Sequence, residues 1–304
     1  MISLGALAVR ALLRLYTYPY RKNFRSLSRT VKLKNRPYSA PRGFGFEVLN
    51  CGGVRVERIA PEGPVDGAII QFHGGGHTAG MNTMYRRAAE RLSLMCDCAV
   101  YSIDYDTGKG LVFPSVHESC FAAYSSMTAG ELNGEKFVAI GDSFGANLML
   151  SACFKARAEG IALPRALVCL CPFVDMSASG DSYRYNCYKD PLYGMPKSFS
   201  FEENESKIRR KSPYCGNTPY TDPYLSPVYG NFDGFPSMLV QYGELETSAS
   251  DGIMLCKAAA EAGACVQLHG FCGMWHDFMY LFPRLKESRQ AWEEIGTFIK
   301  QHIR

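Results

Sequence analysis

The chain has 304 residues, of which 47% are hydrophobic and 20% charged, and its formal net charge is +4. That length suits one large domain, and that hydrophobic share supports a sizeable core, so extensive disorder is excluded. The charge is uneven, because residues 1–46 carry ten Lys and Arg and no Asp or Glu. The rest of the chain is net negative, which argues against a nucleic-acid-binding domain, since such a domain needs a basic surface.

The twelve cysteines indicate a reducing environment. None of them falls in a C-x-x-C pair. A buried free cysteine behaves as a small apolar side chain, whereas disulfide scaffolds are typical of much shorter secreted chains. We therefore expect reduced thiols and a cytoplasmic protein.

The first twenty residues predict a helix with one apolar face. The side chains of that face recur in steps of four and three, at Ile2, Ala6, Val9, Leu13 and Tyr16. Arg10 and Arg14 interrupt the apolar run, so it is too short for a transmembrane span or a secretory signal. We expect the helix to pack on the domain with its arginines in water. Peripheral attachment to an anionic membrane and a mitochondrial transit peptide are less favoured alternatives.

Strand-like and helix-like runs alternate along the rest of the chain. The strand-like runs are 53–60, 67–74, 98–105, 136–142, 165–173, 236–244 and 265–271; the helix-like runs are 82–95, 115–130, 144–159, 249–262 and 285–302. This alternation predicts an α/β fold in which a mostly parallel sheet is flanked by helices. The segment from about 175 to 229 does not follow this alternation of strands and helices. We expect it to be an insertion of short helices over the carboxyl edge of the sheet, because structureless loops of that length are unusual.

The stretch GDSFG, residues 141–145, places Ser143 where an apolar strand gives way to a helix. A hydroxyl is a poor nucleophile at neutral pH, so it needs a base, a group that orients the base, and donors for the oxyanion. The G-x-S-x-G pattern is typical of a tight strand-to-helix turn that holds a nucleophilic serine clear of the sheet. Gly141 and Gly145 are expected there because neighbouring backbone passes close to such a turn.

A second stretch, HGGGHTAG at residues 73–80, follows a predicted strand. Its three glycines leave backbone N–H groups free to bind an oxyanion. His73 and His77 also suggest a metal site. A glycine-rich loop does not hold helical four-residue spacing, however, and no third ligand lies nearby in sequence, so we expect no metal.

The candidate base is His276 in GMWHDF, beyond the last predicted strand, where an open α/β sheet gathers its site. It comes last in the chain order nucleophile, acid, base. The acid that orients the base is one of Glu244, Glu246 and Asp251, which all lie at or after the end of the predicted strand 236–244. Asp251 falls in the next predicted helix, where we expect it to face solvent or cap the first turn.

HGGG, GDSFGANL, the G-x-x-E loop at 243–246 and GMWHDF together resemble the hormone-sensitive-lipase-like branch of the α/β-hydrolase superfamily, over roughly residues 40–304. Members of this branch are carboxylesterases and acetyl esterases. The resemblance implies an α/β-hydrolase fold with a cap, and no metal or organic cofactor. The residues that it implies are the nucleophile Ser143, the base His276, the acid Glu246, and the oxyanion-binding backbone amides of Gly75, Gly76 and Phe144. It also implies cap helices in 1–45 and a cap insertion at about 175–229 on a catalytic domain formed by 46–304.

The chain departs from the family pattern at several positions. Phe144 stands where alanine is usual, Ala146 stands where glycine is usual, and the segment 104–114 lacks the usual arginine and acid. We expect the bulky Phe144 to narrow the acyl site.

The predicted function is therefore a serine carboxylesterase that hydrolyses short-chain esters, from acetyl to butyryl, with a small-molecule ester as its partner. No large exposed apolar flap is evident in the sequence, which disfavours a lipase acting at an oil–water interface. The alternatives are a non-catalytic binding protein on the same fold, or a hydrolase that uses the same three residues on amides, thioesters or lactones.

Overall fold

The computed structural model describes residues 2–21, 38–108, 110–196, 198, 200–203 and 212–303. Within these residues, eight strands form one sheet in the order β1-β2-β4-β3-β5-β6-β7-β8. The strands are β1 (Phe44–Cys51), β2 (Val54–Pro61), β3 (Gly67–Phe72), β4 (Cys98–Asp104), β5 (Phe137–Asp142), β6 (Ala166–Leu170), β7 (Ser237–Gly243) and β8 (Val266–Phe271). β2 runs antiparallel to both β1 and β4, and all other neighbours are parallel. The predicted mostly parallel sheet is confirmed.

Helices cover both faces of this sheet. They are α1 (Leu4–Arg21), α2 (Thr83–Cys96), α3 (Ser115–Ala129), α4 (Phe144–Ala158), α5 (Ser182–Tyr185), α6 (Ala249–Glu261), α7 (Phe278–Leu281) and α8 (Lys286–Ile303), with 3₁₀ turns at Pro213–Cys215 and Pro227–Tyr229. None of the helices in the described part of the chain has the length and apolar content needed to cross a bilayer.

The central strands are apolar because both of their faces are covered. Every residue of β3 and β5 is buried. Successive side chains point to opposite faces of a strand, so Ile70 packs in the core under α3, α4 and α6. Its neighbour Ile69 packs on the other face, under α1, α2 and α8. Each face therefore has its own core, and the carboxyl ends of the parallel strands are left to hold the site.

Helix α1 is attached to the rest of the chain at its start and along one face. The backbone N–H and hydroxyl of Ser3 donate to the carboxylate of Glu287 at the start of α8, over 2.6 and 2.9 Å. The predicted face packs through Ile2, Ala6, Val9 and Leu13. Tyr16 is an exception, because it is 58% exposed and the buried Thr17 continues the packed face instead. The basic residues at 22–36 lie outside the described residues.

Two boundaries differ from the sequence prediction. Strand β1 was not predicted, and it begins at Phe44, two residues before the predicted start of the catalytic domain. Strand β6 ends at Leu170, earlier than predicted, because Cys171 adopts a left-handed φ of 44° and a proline follows. In the segment 175–229 the described residues include the short helix α5, the helical residues 201–203 and two 3₁₀ turns, while residues 197, 199 and 204–211 lie outside the described residues. All twelve cysteines are free, and ten of them are buried.

Candidate active site

Ser143 occupies the turn between β5 and α4, with φ 50° and ψ −122°. A non-glycine residue rarely adopts a positive φ, so the turn is strained. Its two glycines are required sterically. A Cβ on Gly141 would lie 2.6 Å from the carbonyl oxygen of Gly145, and a Cβ on Gly145 would collide with the backbone of Phe72 and His73.

The imidazole of His276 joins the serine to a carboxylate. Nε2 of His276 lies 2.9 Å from Oγ of Ser143, and Nδ1 lies 2.7 Å from Oε2 of Glu246. An ionised carboxylate only accepts hydrogen bonds, so Nδ1 carries a proton and donates it to Glu246. In the neutral imidazole, Nε2 is then left as the acceptor for the serine hydroxyl.

Glu246 is fully buried and held from several sides. Its carboxylate accepts the backbone N–H of Gly243, at the end of β7, and the hydroxyl of Ser248 at 3.3 Å. The side-chain amide of Asn186, in the segment 175–229, donates to the backbone carbonyl of Glu246 over 2.8 Å. The sequence left three candidate acids open, and the structure brings Glu246 to the imidazole.

The other two candidate acids lie elsewhere. Glu244 is exposed, and its carbonyl accepts a hydrogen bond from Asn186. Asp251 was expected to face solvent or to cap its helix, and this expectation is wrong. Its carboxylate is fully buried and accepts the backbone N–H groups of Val174 and Asp175, at 2.9 and 3.0 Å. It therefore fixes the chain that follows β6.

The glycine loop after β3 adopts conformations that need glycine. Gly75 and Gly76 have φ values of 103° and 57°. Among the described residues, none accepts a hydrogen bond from the backbone N–H of Gly75, Gly76 or Phe144. These three amides, which the sequence resemblance had named, are therefore free to bind an oxyanion.

Asp142 connects this loop to the serine turn. One oxygen of its buried carboxylate accepts the backbone N–H of Gly74 at 3.0 Å, and the other accepts the hydroxyl of Tyr85 at 2.9 Å. The loop is thereby fixed to the residue that precedes Ser143.

His73 and His77 do not form a metal site together. His73 is stacked on Tyr105 with 4.1 Å between ring centroids, and burial lowers its pKa to about 4. His77 is stacked instead on Tyr214. Within the described residues, the side chains that could jointly ligate a metal are Cys171, Glu246 and His276. Burial raises the pKa of the Cys171 thiol, so it is a poor ligand.

Asp277 brings a second carboxylate to the imidazole. Its Oδ2 lies 3.4 Å from Nε2 of His276. Burial alone would lower the pKa of His276, but the charges of Asp277 and Glu246 outweigh it and raise this pKa well above 6.5. Burial also raises the pKa of Asp277, to about 6.

Aromatic rings enclose Phe144 beside the serine. Phe144 is 1% exposed, and its ring meets those of His77, His117 and Tyr214 edge-on at 5.6, 5.7 and 5.6 Å. The imidazole of His117 lies between two polar groups, 2.8 Å from the Tyr214 hydroxyl and 2.9 Å from Oδ1 of Asn147. Tyr214, in the segment 175–229, is thereby attached to α3 and α4.

Sequence reasoning missed several residues of this site. Asp277 directly follows His276, and Asp142 directly precedes Ser143, so adjacency in the motifs could have singled them out. Tyr193, whose ring lies edge-on to His276 at 5.0 Å, has no such signal, because its segment has no periodic pattern.

Comparisons with known proteins give the family. The model of the α/β hydrolase fold family matches residues 69–280, more than half of the chain. An acetyl-hydrolase of Streptomyces hygroscopicus is 27% identical over 84% of this chain and 82% of its own. An esterase of Acinetobacter venetianus is 26% identical over 82% of this chain and 80% of its own.

A solved structure identifies the branch of this superfamily to which the chain is similar. The crystal structure of an esterase from the bacterial hormone-sensitive lipase family is 27% identical, covers 100% of both chains and has a TM-score of 0.82. The chain therefore belongs to the α/β-hydrolase superfamily, in its hormone-sensitive-lipase-like branch of carboxylic ester hydrolases.

Proposed function

We propose that this protein is a serine carboxylesterase that hydrolyses short-chain acyl esters, from acetyl to butyryl. The observation that supports it most directly is the position of the His276 imidazole, 2.9 Å from Oγ of Ser143 and 2.7 Å from the Glu246 carboxylate. A base within hydrogen-bond reach of a serine hydroxyl, itself oriented by a carboxylate, is the arrangement that acyl transfer needs.

The proposed reaction has two steps. His276 takes the proton of Ser143 as Oγ attacks the ester carbonyl, and Glu246 stabilises the imidazolium that forms. His276 then gives that proton to the leaving alcohol, and an acyl-enzyme remains on Ser143. Water, activated by the same imidazole, attacks the acyl-enzyme and releases the acid.

The oxyanion of each tetrahedral intermediate is bound, in this proposal, by the backbone amides of Gly75, Gly76 and Phe144. Their N–H groups have no acceptor among the described residues, so they do not have to break an existing hydrogen bond. Loss of one such donor typically raises the barrier by about 3 kcal/mol.

The preference for short acyl chains is proposed from the ring of Phe144. That ring is buried against His77, His117 and Tyr214, so it has little freedom to move aside. It fills space next to the serine that the usual alanine of the family leaves open.

The proposal includes the cap elements in 1–45 and about 175–229 on a catalytic domain formed by 46–304. Two contacts support a cap role for the second segment. Asn186 donates to the backbone carbonyl of Glu246, and Tyr193 lies against His276.

A series of p-nitrophenyl esters, from acetate to octanoate, tests this function on the unmodified protein and on Ser143→Ala. We expect kcat/KM to be highest from acetate to butyrate and to be abolished by the substitution. Turnover that survives Ser143→Ala, or no turnover of any ester, would reject the proposal. For the acid, Glu246→Gln should lower kcat strongly, whereas the matched variant Glu244→Gln, at an exposed position, should not.

A further inference from the structure

Helix α1 has two apolar faces, and only one of them is packed. The packed face runs through Ile2, Ala6, Val9 and Leu13. The opposite face repeats apolar residues in the same helical steps, at Leu4, Ala8, Ala11 and Leu15, and all four are exposed. The large apolar side chains of this outward face are Leu4 (84% exposed), Leu7 (36%), Leu12 (65%), Leu15 (74%) and Tyr18 (49%). We call it the outer face of α1.

Such a surface is unusual for a helix that faces water. An amphipathic helix on a globular protein normally turns charged and polar residues to solvent. Helix α8 follows this rule, because its exposed residues are Lys286, Arg289, Gln290, Glu293, Thr297 and Gln301. The outer face of α1 instead exposes a contiguous apolar stripe, which is typical of a surface that contacts another apolar phase.

The charge of the N-terminal part of the chain favours a negatively charged partner. Residues 1–46 contain ten Lys and Arg and no acidic residue, and six of these ten, at 22–36, lie outside the described residues. Arg10 and Arg14 lie one helical turn apart, between the packed face and the outer face. A second copy of the chain, packed through the same face by two-fold symmetry, would bring like charges together. An anionic bilayer satisfies both features, since it buries the leucines and attracts the basic residues.

We propose that the outer face of α1 docks the protein on anionic membrane surfaces. The helix lies along the bilayer, because its other face is packed on the domain. Leu4, Leu12 and Leu15 enter the boundary between headgroups and acyl chains, and the net positive charge of residues 1–46 attracts anionic headgroups.

The same helix contacts two loops of the candidate active site. The Arg10 guanidinium donates to the carbonyl of Gly273, three residues before His276, at 3.4 Å. The Thr17 hydroxyl donates to the carbonyl of Pro191 at 2.6 Å, two residues before Tyr193. Docking through α1 therefore places the edge of the site beside the lipid. If the proposed esterase function holds, on which this step rests, esters that partition into the bilayer are favoured substrates.

Co-sedimentation with vesicles tests the docking. The full chain is mixed with phosphatidylcholine vesicles that contain or lack phosphatidylglycerol, at low and high ionic strength. We expect binding only to the anionic vesicles, and weaker binding as salt rises. The variant Leu12→Ser/Leu15→Ser should lose about ten-fold or more in partitioning, because two apolar anchors are removed. Leu94→Ser, at a position on α2 that is 67% exposed, is the matched control and should bind as the unmodified protein does.

Equal binding by the double variant, or no binding of the unmodified protein to anionic vesicles, would overturn the proposal. So would a dimer in solution that the double variant dissociates while vesicle binding is absent, because the occupant would then be a second copy. Turnover of p-nitrophenyl acetate should be the same in all three proteins. Absence of that turnover would reject the esterase function and leave the vesicle result to decide the docking.

Discussion

Asp277 and His276 are adjacent in the chain and also meet through their side chains, with Oδ2 of Asp277 3.4 Å from Nε2 of His276. This is the nitrogen that faces Ser143. The Asp277 carboxylate favours the protonated imidazole, which cannot act as a base, so His276 can take the Ser143 proton only at a pH where the imidazole is neutral. The pH dependence of the activity should report this requirement.

We expect kcat/KM to rise with pH through a range above the ordinary titration of histidine, because the pKa of His276 is raised. Removal of the Asp277 charge in Asp277→Asn should shift this rise to lower pH, since the neutral imidazole then forms more easily. A pH profile of kcat/KM on p-nitrophenyl acetate measures the shift. Glu244→Gln removes an exposed carboxylate and should leave the profile in place. An unchanged profile in Asp277→Asn would contradict this role.

The hydrogen bonds that connect the glycine loop to the serine turn should affect kcat more than KM. Tyr85→Phe removes the hydroxyl that donates to Asp142, so the carboxylate that holds Gly74 loses one of its partners. We expect kcat to fall by about ten-fold with a smaller change in KM, because the oxyanion amides are less well oriented. Tyr124→Phe, which removes a hydroxyl on α3 that donates to the backbone carbonyl of Ala162 after α4, is the control. A similar fall in both variants would mean that the effect is only structural.

A buried ion pair between β2 and α2 should dominate the stability of that side of the sheet. Arg86 donates to both oxygens of the buried Glu57 carboxylate, at 2.6 and 2.7 Å. Arg86→Gln leaves that carboxylate without its main partner, and the expected loss of stability is about 4 kcal/mol. Arg87→Gln breaks only the exposed pair with Glu90 and should cost less than about 1 kcal/mol. Urea denaturation measures both, and equal losses would contradict the difference.

His117 should make stability depend on pH. Burial lowers its pKa to about 4, below the ordinary value of 6.5, so between these values the unfolded chain binds a proton that the folded chain does not. Stability therefore falls as pH falls from 6.5 to 4. His117→Gln removes this titration. Between pH 6.5 and 4 the variant should therefore lose less stability than the unmodified protein does, by up to about 3 kcal/mol. Urea denaturation at pH 7 and pH 4 measures the difference, and parallel losses in the two proteins would contradict it.

Much of the fold follows from the sequence because each periodic run has one structure available to it. The apolar runs that became β3 and β5 can be stable only if both faces are covered, which requires a parallel sheet with helices on each side. β1 was not predicted because its sequence, FGFEVLNC, has no continuous apolar run. Its residues Glu47 and Val48 are exposed, whereas every residue of β3 and β5 is buried.

The site was predictable where a motif fixes the backbone. Gly141 and Gly145 are required by close contacts, so the turn around Ser143 is visible in the sequence. The acid was not predictable from the residues alone, because Glu244, Glu246 and Asp251 follow the same strand. Only the three-dimensional path of the loop turns Glu246 inward, where the N–H of Gly243 and the Asn186 amide hold it. Contacts across the sheet's edge, such as that between Tyr193 and His276, have no counterpart in local sequence.

The central claim is that Ser143 is acylated with His276 as its base. The most direct measurement is mass spectrometry of the protein quenched during turnover of p-nitrophenyl acetate, followed by identification of the modified peptide. We predict one acetyl group per chain on the peptide that contains Ser143, accumulation that is lost in Ser143→Ala, and much slower formation in His276→Ala. Acetyl groups on another residue, or turnover with an unmodified Ser143 peptide at every time point, would contradict the claim.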